Sequence, residues 1–323
     1  MKNLLRKTVF YLVTIWASIT LAFVLPRLMP GDPLSAFLVR HPNVSPDILT
    51  SLRAMFGLDD SSLWTQYWRY WGQLLHGDLG ISFRNFPVPV STVIAGALPW
   101  TIGLVGVATV IAFVLGSVAG MLLGWRHSRR ADALIPLTTF FSSVPYFWIA
   151  LVLIFLLGVR LKWLPYYGSY SAGLIPGWNW EFAADVLKHA LLPGVTIVIA
   201  SISGWIISMR NMMITVASED FVTVAQAKGL PESRVMFNYA ARNAILPQIS
   251  GFALSLGFVV SGTLVMEQVF TYQGIGFQLL MAVGAKDYPL MQGVFLVITL
   301  SVILANILAD LIYVLLDPRT RKD

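Results

Sequence analysis

An all-α membrane protein with six transmembrane helices is the fold this sequence predicts, on three observations. Of 323 residues, 57% are hydrophobic and only 12% charged, whereas soluble domains carry about a quarter charged residues. Six apolar stretches, at 9–28, 100–124, 134–159, 190–209, 249–270 and 290–316, approach or exceed the ~20 residues that a ~30 Å hydrocarbon core asks of a helix. Lysine and arginine gather at alternate connections, which gives the spans one consistent direction.

The first stretch follows "MKNLLRK", with Lys2, Arg6 and Lys7. Its apolar run exceeds a typical signal-peptide core and enters "LPRLMPGDP" without a small-x-small cleavage site, so a retained span is expected. Residues 28–98 are too long for a mere connector. Ser45-Pro46-Asp47 is a helix-start signal there. Beyond it Trp64, Tyr67, Trp68, Tyr70 and Trp71 recur mostly three or four residues apart. Tryptophan and tyrosine gather at membrane interfaces, so this stripe suits packing on the bilayer or the spans; a sugar- or peptide-binding stripe is the other reading.

The second and third spans flank "WRHSRRADA", which carries Arg126, Arg129 and Arg130. A second aromatic, Gly- and Pro-rich connection precedes the fourth span. The fifth and sixth spans hold two acids, Glu267 and Asp310, near their ends, and a structural partner is expected for each. The tail "DPRTRKD" supplies Arg319, Arg321 and Lys322. With six spans, all the basic segments fall on one side, the cytoplasmic one, and both termini lie there.

Several chemistries are excluded. With no cysteine, the chain has no disulfide, thiolate metal site or cysteine nucleophile. It lacks G-x-x-x-x-G-K-[ST], H-E-x-x-H, G-x-S-x-G and S-x-x-K. Histidines at 41, 76, 127 and 189 are too scattered for a metal site. The net charge of +6 is spread thinly, with no basic block to hold nucleic acid. No catalytic residue is expected, and the energy for any work comes from elsewhere.

Between the fourth and fifth spans lies "SEDFVTVAQAKGLPESRVMFNYAARNAILP", residues 218–247. Ser218 is a possible N-cap, with acids in the first turn and Lys228 in the last, as the helix dipole favours. Phe221, Val224, Ala225 and Lys228 recur at i, i+3, i+4 and i+7, one mainly apolar face. Gly229 suits a left-handed helix end. Pro231 and Glu232 suit the first turn of a second helix, which runs through Val235, Tyr239 and Arg242 until Pro247 begins the fifth span. Pattern alone allows either a compact protrusion that fits a groove or a connector lying on the bilayer.

"VAQAKGLPESRVMFNYAARNAILP" resembles the cytoplasmic loop of permease subunits of bacterial ABC importers, in the dipeptide and oligopeptide branch. So, in order, do "LMPGDP", "LLHGDLGISF", "SSVPYFWIAL", "ILPQISGF", "VMEQVFTYQGIG" and "DLIYVLLDPRTR". The resemblance covers nearly the whole chain. It implies a type I importer permease fold, with the first span and external loop at 1–98, a five-helix core at 99–317 and a tail at 318–323.

In that family the segment at about 219–243 is a coupling helix that docks on a soluble ATPase. Carried over, the docking group is Ala225, Ala227, Gly229, Leu230 and Arg234. Thr223 stands where the general motif has glutamate, and Tyr239 where histidine is common. Ser142, Ser143, Pro145 and Glu267 become candidates for the translocation path; a packed kink whose serines bond their own helix is the alternative. Gly274 and Gly276 fall where the family turns toward the outer mouth.

The resemblance also implies partners: a second, related permease, two ATPase subunits that hold ATP and Mg, and an extracytoplasmic solute-binding protein. It implies a bacterial inner membrane and a cargo of peptides, with oligosaccharides or nickel complexes as alternatives. A secondary carrier driven by an ion gradient and a membrane scaffold are the readings from other classes. The carrier ordinarily needs acids near the midplane of paired broken helices, and no such pair is visible.

Overall fold

The computed structural model describes residues 2–40, 61–126, 133–260 and 264–316. Their regular structure is helical apart from one isolated antiparallel bridge, Ile81 to Pro89. In chain order the helices are α1 (Lys2–Arg27), α2 (Pro33–Arg40), α3 (Leu63–Leu75), α4 (Val90–Trp125), α5 (Leu134–Ser143), α6 (Tyr146–Arg160), α7 (Trp180–Ala217) and α8 (Asp220–Ala227). α9 joins Glu232–Arg234, Val235–Ala241 and Arg242–Val259 without a break; α10 (Leu264–Val269), α11 (Ile275–Ala285) and α12 (Tyr288–Leu316) follow. The expected helix start at Ser45 lies outside the described residues.

Among the described residues, four helices are long and apolar enough to cross a membrane: Arg6–Arg27 within α1, α4, α7 and Tyr288–Leu311 within α12. α5 and α6 pass the same test as a pair bent by 95°. The bend sits at Val144 and Pro145, both extended. Proline lacks the amide hydrogen that would continue α5 and pushes its predecessor out of the helical region. The expected fifth span, 249–270, is divided between α9 and α10, and three residues between them, 261–263, are outside the described set.

Pro26, Pro99, Pro193 and Pro247 lie inside helices. Membrane helices tolerate this because local widening and neighbouring groups satisfy the freed carbonyls. Among the described residues, three stretches have the wider π-type turn: Ile102–Gly106, Ile154–Arg160 and Val235–Ala241.

The chain forms two compact units. The first comprises Met1–Thr101, Val260–Leu264 and Gln273–Ile303. Its core joins Val90, Ile94 and Ala97 of α4 to Ile275 and Leu279 of α11 and Leu290 and Val294 of α12. Gly293 makes that approach possible, since a Cβ there would stand 2.6 Å from Val90. Buried Asp287 accepts from Ser82 Oγ at 2.5 Å and from the backbone N–H groups of Arg84 at 3.0 Å and Leu290 at 3.1 Å. Three donors on one carboxylate fix the 80–84 loop to the start of α12.

The second unit comprises Ile102–Val259, Val265–Tyr272 and Leu304–Asp323. Its centre is the pairing of α4 with α7, built on Gly116, Gly120 and Gly124. A Cβ at Gly116 would meet Trp205 Cβ at 2.6 Å, one at Gly120 would collide with the Ile206 carbonyl, and one at Gly124 would meet the Arg210 carbonyl at 2.7 Å. Small residues every fourth position let two membrane helices touch backbone to backbone. Phe113 stacks on Phe252 of α9 at 4.3 Å and meets Trp205 edge-on at 5.1 Å. Buried Gln248 donates to Ser208 Oγ at 2.6 Å, tying α9 to α7.

Candidate docking elbow

The elbow is made by α8, the turn at Lys228–Pro231 and the start of α9. α7 ends at Ala217, where the Ser218 hydroxyl donates back to the Thr215 carbonyl at 2.8 Å. Ser218 therefore closes α7 and does not cap α8. The N-cap of α8 is the extended Glu219, which makes no side-chain capping bond. Asp220 in the first turn still complements the helix dipole.

The two-turn α8 lies flat on its own chain. Val222 and Ala225 are 0% and 2% exposed, packed into a cluster with Met121 of α4, Met209, Met213 and Val216 of α7, and Val235, Met236 and Ala240 of α9. Four of those contributors are unbranched methionines, which fill irregular gaps between helices. The expected apolar face of Phe221, Val224, Ala225 and Lys228 is thus corrected. The buried pair is Val222 and Ala225, while Phe221 and Val224 are 41% and 51% exposed. In so short a helix the packing partners, and not the longest apolar repeat, decide which side faces in.

Gly229 takes φ +73°, and nothing stands within 4 Å of where a Cβ would be. The glycine is needed for the backbone conformation and leaves the tip uncrowded. Leu230 is half-buried against the methionine cluster. Pro231, extended at φ −55° and ψ 139°, precedes α9 by one position instead of opening its first turn. Trp125 at the end of α4 donates its indole N–H to Glu232 Oε1 at 2.8 Å, which holds the start of α9 beside α4. Pro247 does not divide α9; the rod continues from the elbow to Val259.

Of the five expected docking residues, Ala227, Gly229 and Arg234 are exposed, Leu230 is half-buried, and Ala225 is turned inward. The methyl of Ala225 helps seat α8 on the methionine cluster. The outward surface gains Phe221 and Val224, with Lys228 exposed on the same two turns. A scan for buried periodicity assigns such residues to the wrong side, which is why they escaped the sequence reading.

The path candidates divide. Ser142 and Ser143 end α5 beside Pro145, and their hydroxyls donate to the Thr138 and Thr139 carbonyls at 3.1 and 2.9 Å. They bond their own helix and are exposed in the single chain. Glu267, the fourth path candidate, belongs to α10 and is 0% exposed in the single chain. Its backbone carbonyl accepts from Tyr272 N at 2.7 Å. Burial, and secondarily the Glu267 carboxylate, push the Tyr272 hydroxyl up to about 12.

Several helices long and apolar enough to cross a bilayer mark a multi-pass membrane protein. Residues 112–322 match the family described as binding-protein-dependent transport system inner membrane component, and the chain belongs to that family. It is 31% identical to the oligopeptide transport system permease protein AppB of Bacillus subtilis, over 98% of both chains. It is 34% identical to a putative peptide permease protein of Brucella ovis over 93% of both, and 30% identical to the dipeptide transport system permease protein DppB of Lactococcus lactis over 99% of both. The chain is a permease component of an ABC importer, and not an enzyme.

Proposed function

We propose that this permease carries di- and oligopeptides across a bacterial inner membrane, with six spans and both termini in the cytoplasm. The relatives' names, each stating peptide, oligopeptide or dipeptide transport, support the cargo. Oligosaccharides and nickel complexes remain the alternative cargoes. A second permease encloses the path, two ATPase subunits hold ATP and Mg, and a solute-binding protein delivers the ligand. This chain binds no cofactor of its own.

The observation that carries the mechanism is the seat of the elbow. α8 is packed by Val222 and Ala225 onto α4, α7 and α9, and α9 runs on from the elbow without interruption. A partner that grips Phe221, Val224, Ala227, Gly229 and Arg234 would move helix ends directly, because close-packed interiors transmit displacement. Closing of the ATPase dimer on ATP then drives the spans from inward-facing to outward-facing.

The test is uptake of a labelled tripeptide by proteoliposomes holding the complete complex and its binding protein. ATP inside the vesicles should drive uptake, and ionophores that dissipate proton and sodium gradients should leave it unchanged. Uptake that survives without ATP and fails with the ionophores would establish the ion-coupled carrier instead.

A further inference from the structure

The helix α3 divides its surface into three stripes. Tyr67, Tyr70 and Gln66 face α1: Tyr67 Oη and Thr20 Oγ share a hydrogen bond of 2.8 Å, Phe23 meets Tyr67 and Tyr70 at 5.3 and 5.7 Å, and Gln66 Oε1 accepts from Arg27 Nε and Nη2 at 3.4 and 3.3 Å. Trp64, Trp68 and Leu75 fall within about 40° of the helical wheel and are 67%, 55% and 80% exposed. Thr65, Arg69 and Gln73 form a polar stripe, also exposed. The three stripes stand about 120° apart.

The α1 contacts run from Thr20 to Arg27, so α3 is fastened along the last two turns of a membrane span. One step round α1 from those contacts, Leu21, Leu25 and Leu28 are exposed as well. A helix held at the depth of a span's end, apolar on one free side and polar on the other, matches the boundary between acyl chains and water. Tryptophan is the residue favoured at that boundary.

We propose that α3 is an interfacial helix whose Trp64–Trp68–Leu75 stripe is covered by phospholipid, anchoring the end of the first span at a fixed depth. The occupant is lipid because α3 is fastened to the last two turns of a candidate span, with tryptophans on its free apolar side, while Thr65, Arg69 and Gln73 take the water side.

The cysteine-free chain makes the test direct. Single Trp64→Cys, Trp68→Cys and Leu75→Cys variants, and Thr65→Cys, Arg69→Cys and Gln73→Cys on the polar stripe, are nitroxide-labelled. The full chain, with its co-purifying subunits, is reconstituted in phosphatidylethanolamine–phosphatidylglycerol bilayers. At the first three sites, collisions with dissolved oxygen should exceed those with a water-soluble nickel chelate; at the polar sites the ratio should invert. Equal chelate access at both sets would overturn the proposal, since the helix would then stand in water. Labels at 64 and 68 that neither relaxant reaches would overturn it too, by showing a protein cover. Leu75, the most exposed of the three, serves as a control whose labelling leaves the packed face untouched.

Discussion

At residue 229 the constraint is backbone shape alone. A β-branched side chain in the left-handed region costs about 1–2 kcal/mol, and asparagine tolerates it far better. Gly229→Asn should therefore keep peptide uptake, whereas Gly229→Val should lose uptake and ATPase co-purification, with thermal unfolding lowered only by the backbone strain, because no neighbour lies within 4 Å. Asp287 is the opposite case, a group defined by its partners. Asp287→Ala strands the Ser82 hydroxyl and two backbone amides in a buried site, a loss of about 3 kcal/mol. A lowered unfolding midpoint of the detergent-purified chain, larger than that of Asp287→Asn, is the expected result. Gly229 could be read from the sequence because glycine before Leu-Pro carries its own turn chemistry. Asp287 could not, since its donors Ser82 and Arg84 lie some two hundred residues away in the chain.

Among the elements, the α4–α7 pair makes the sharpest contrast. Gly120→Ala forces a methyl group into the Ile206 carbonyl, and overpacking of this kind costs about 1–3 kcal/mol. Gly204→Ala, on α7 with nothing within 4 Å, should be neutral or stabilising, since alanine is the better helix former. Thermal unfolding of the two variants side by side checks this. Four long apolar helices and the bent α5–α6 pair were legible because bilayer thickness sets a length that apolar runs reveal. The glycine ladder in "GSVAGMLLG" was not, because within a uniformly apolar run nothing marks which side meets a neighbour. Pro247 misled for a related reason. It reads as a boundary by the rules of water-soluble helices, yet α9 carries it in its interior.

For the molecule as a whole, the elbow matters through what it is tied to. Trp125→Phe removes the indole N–H that reaches Glu232 while keeping an aromatic ring at the end of α4. The expected outcome is reduced ATP-driven uptake with ATPase co-purification retained, measured on the reconstituted complex; equal loss of both would mean that the bond serves assembly alone. Class and family were readable in the sequence because motifs extend along its whole length. The faces of α8 were not, since they depend on methionines contributed by three other helices.

The wide turn at Val235–Ala241 bears on how such a chain tolerates changes in length. A π-type turn holds one residue more than an α-helix joining the same end points. Deleting Asn238 should let the rod close as ordinary helix with the sides above and below still aligned. The same deletion in a regular stretch would turn everything beyond it by about 100°. Next to the elbow, insertions and losses of single residues are thus absorbed locally, and the membrane-embedded half keeps its orientation.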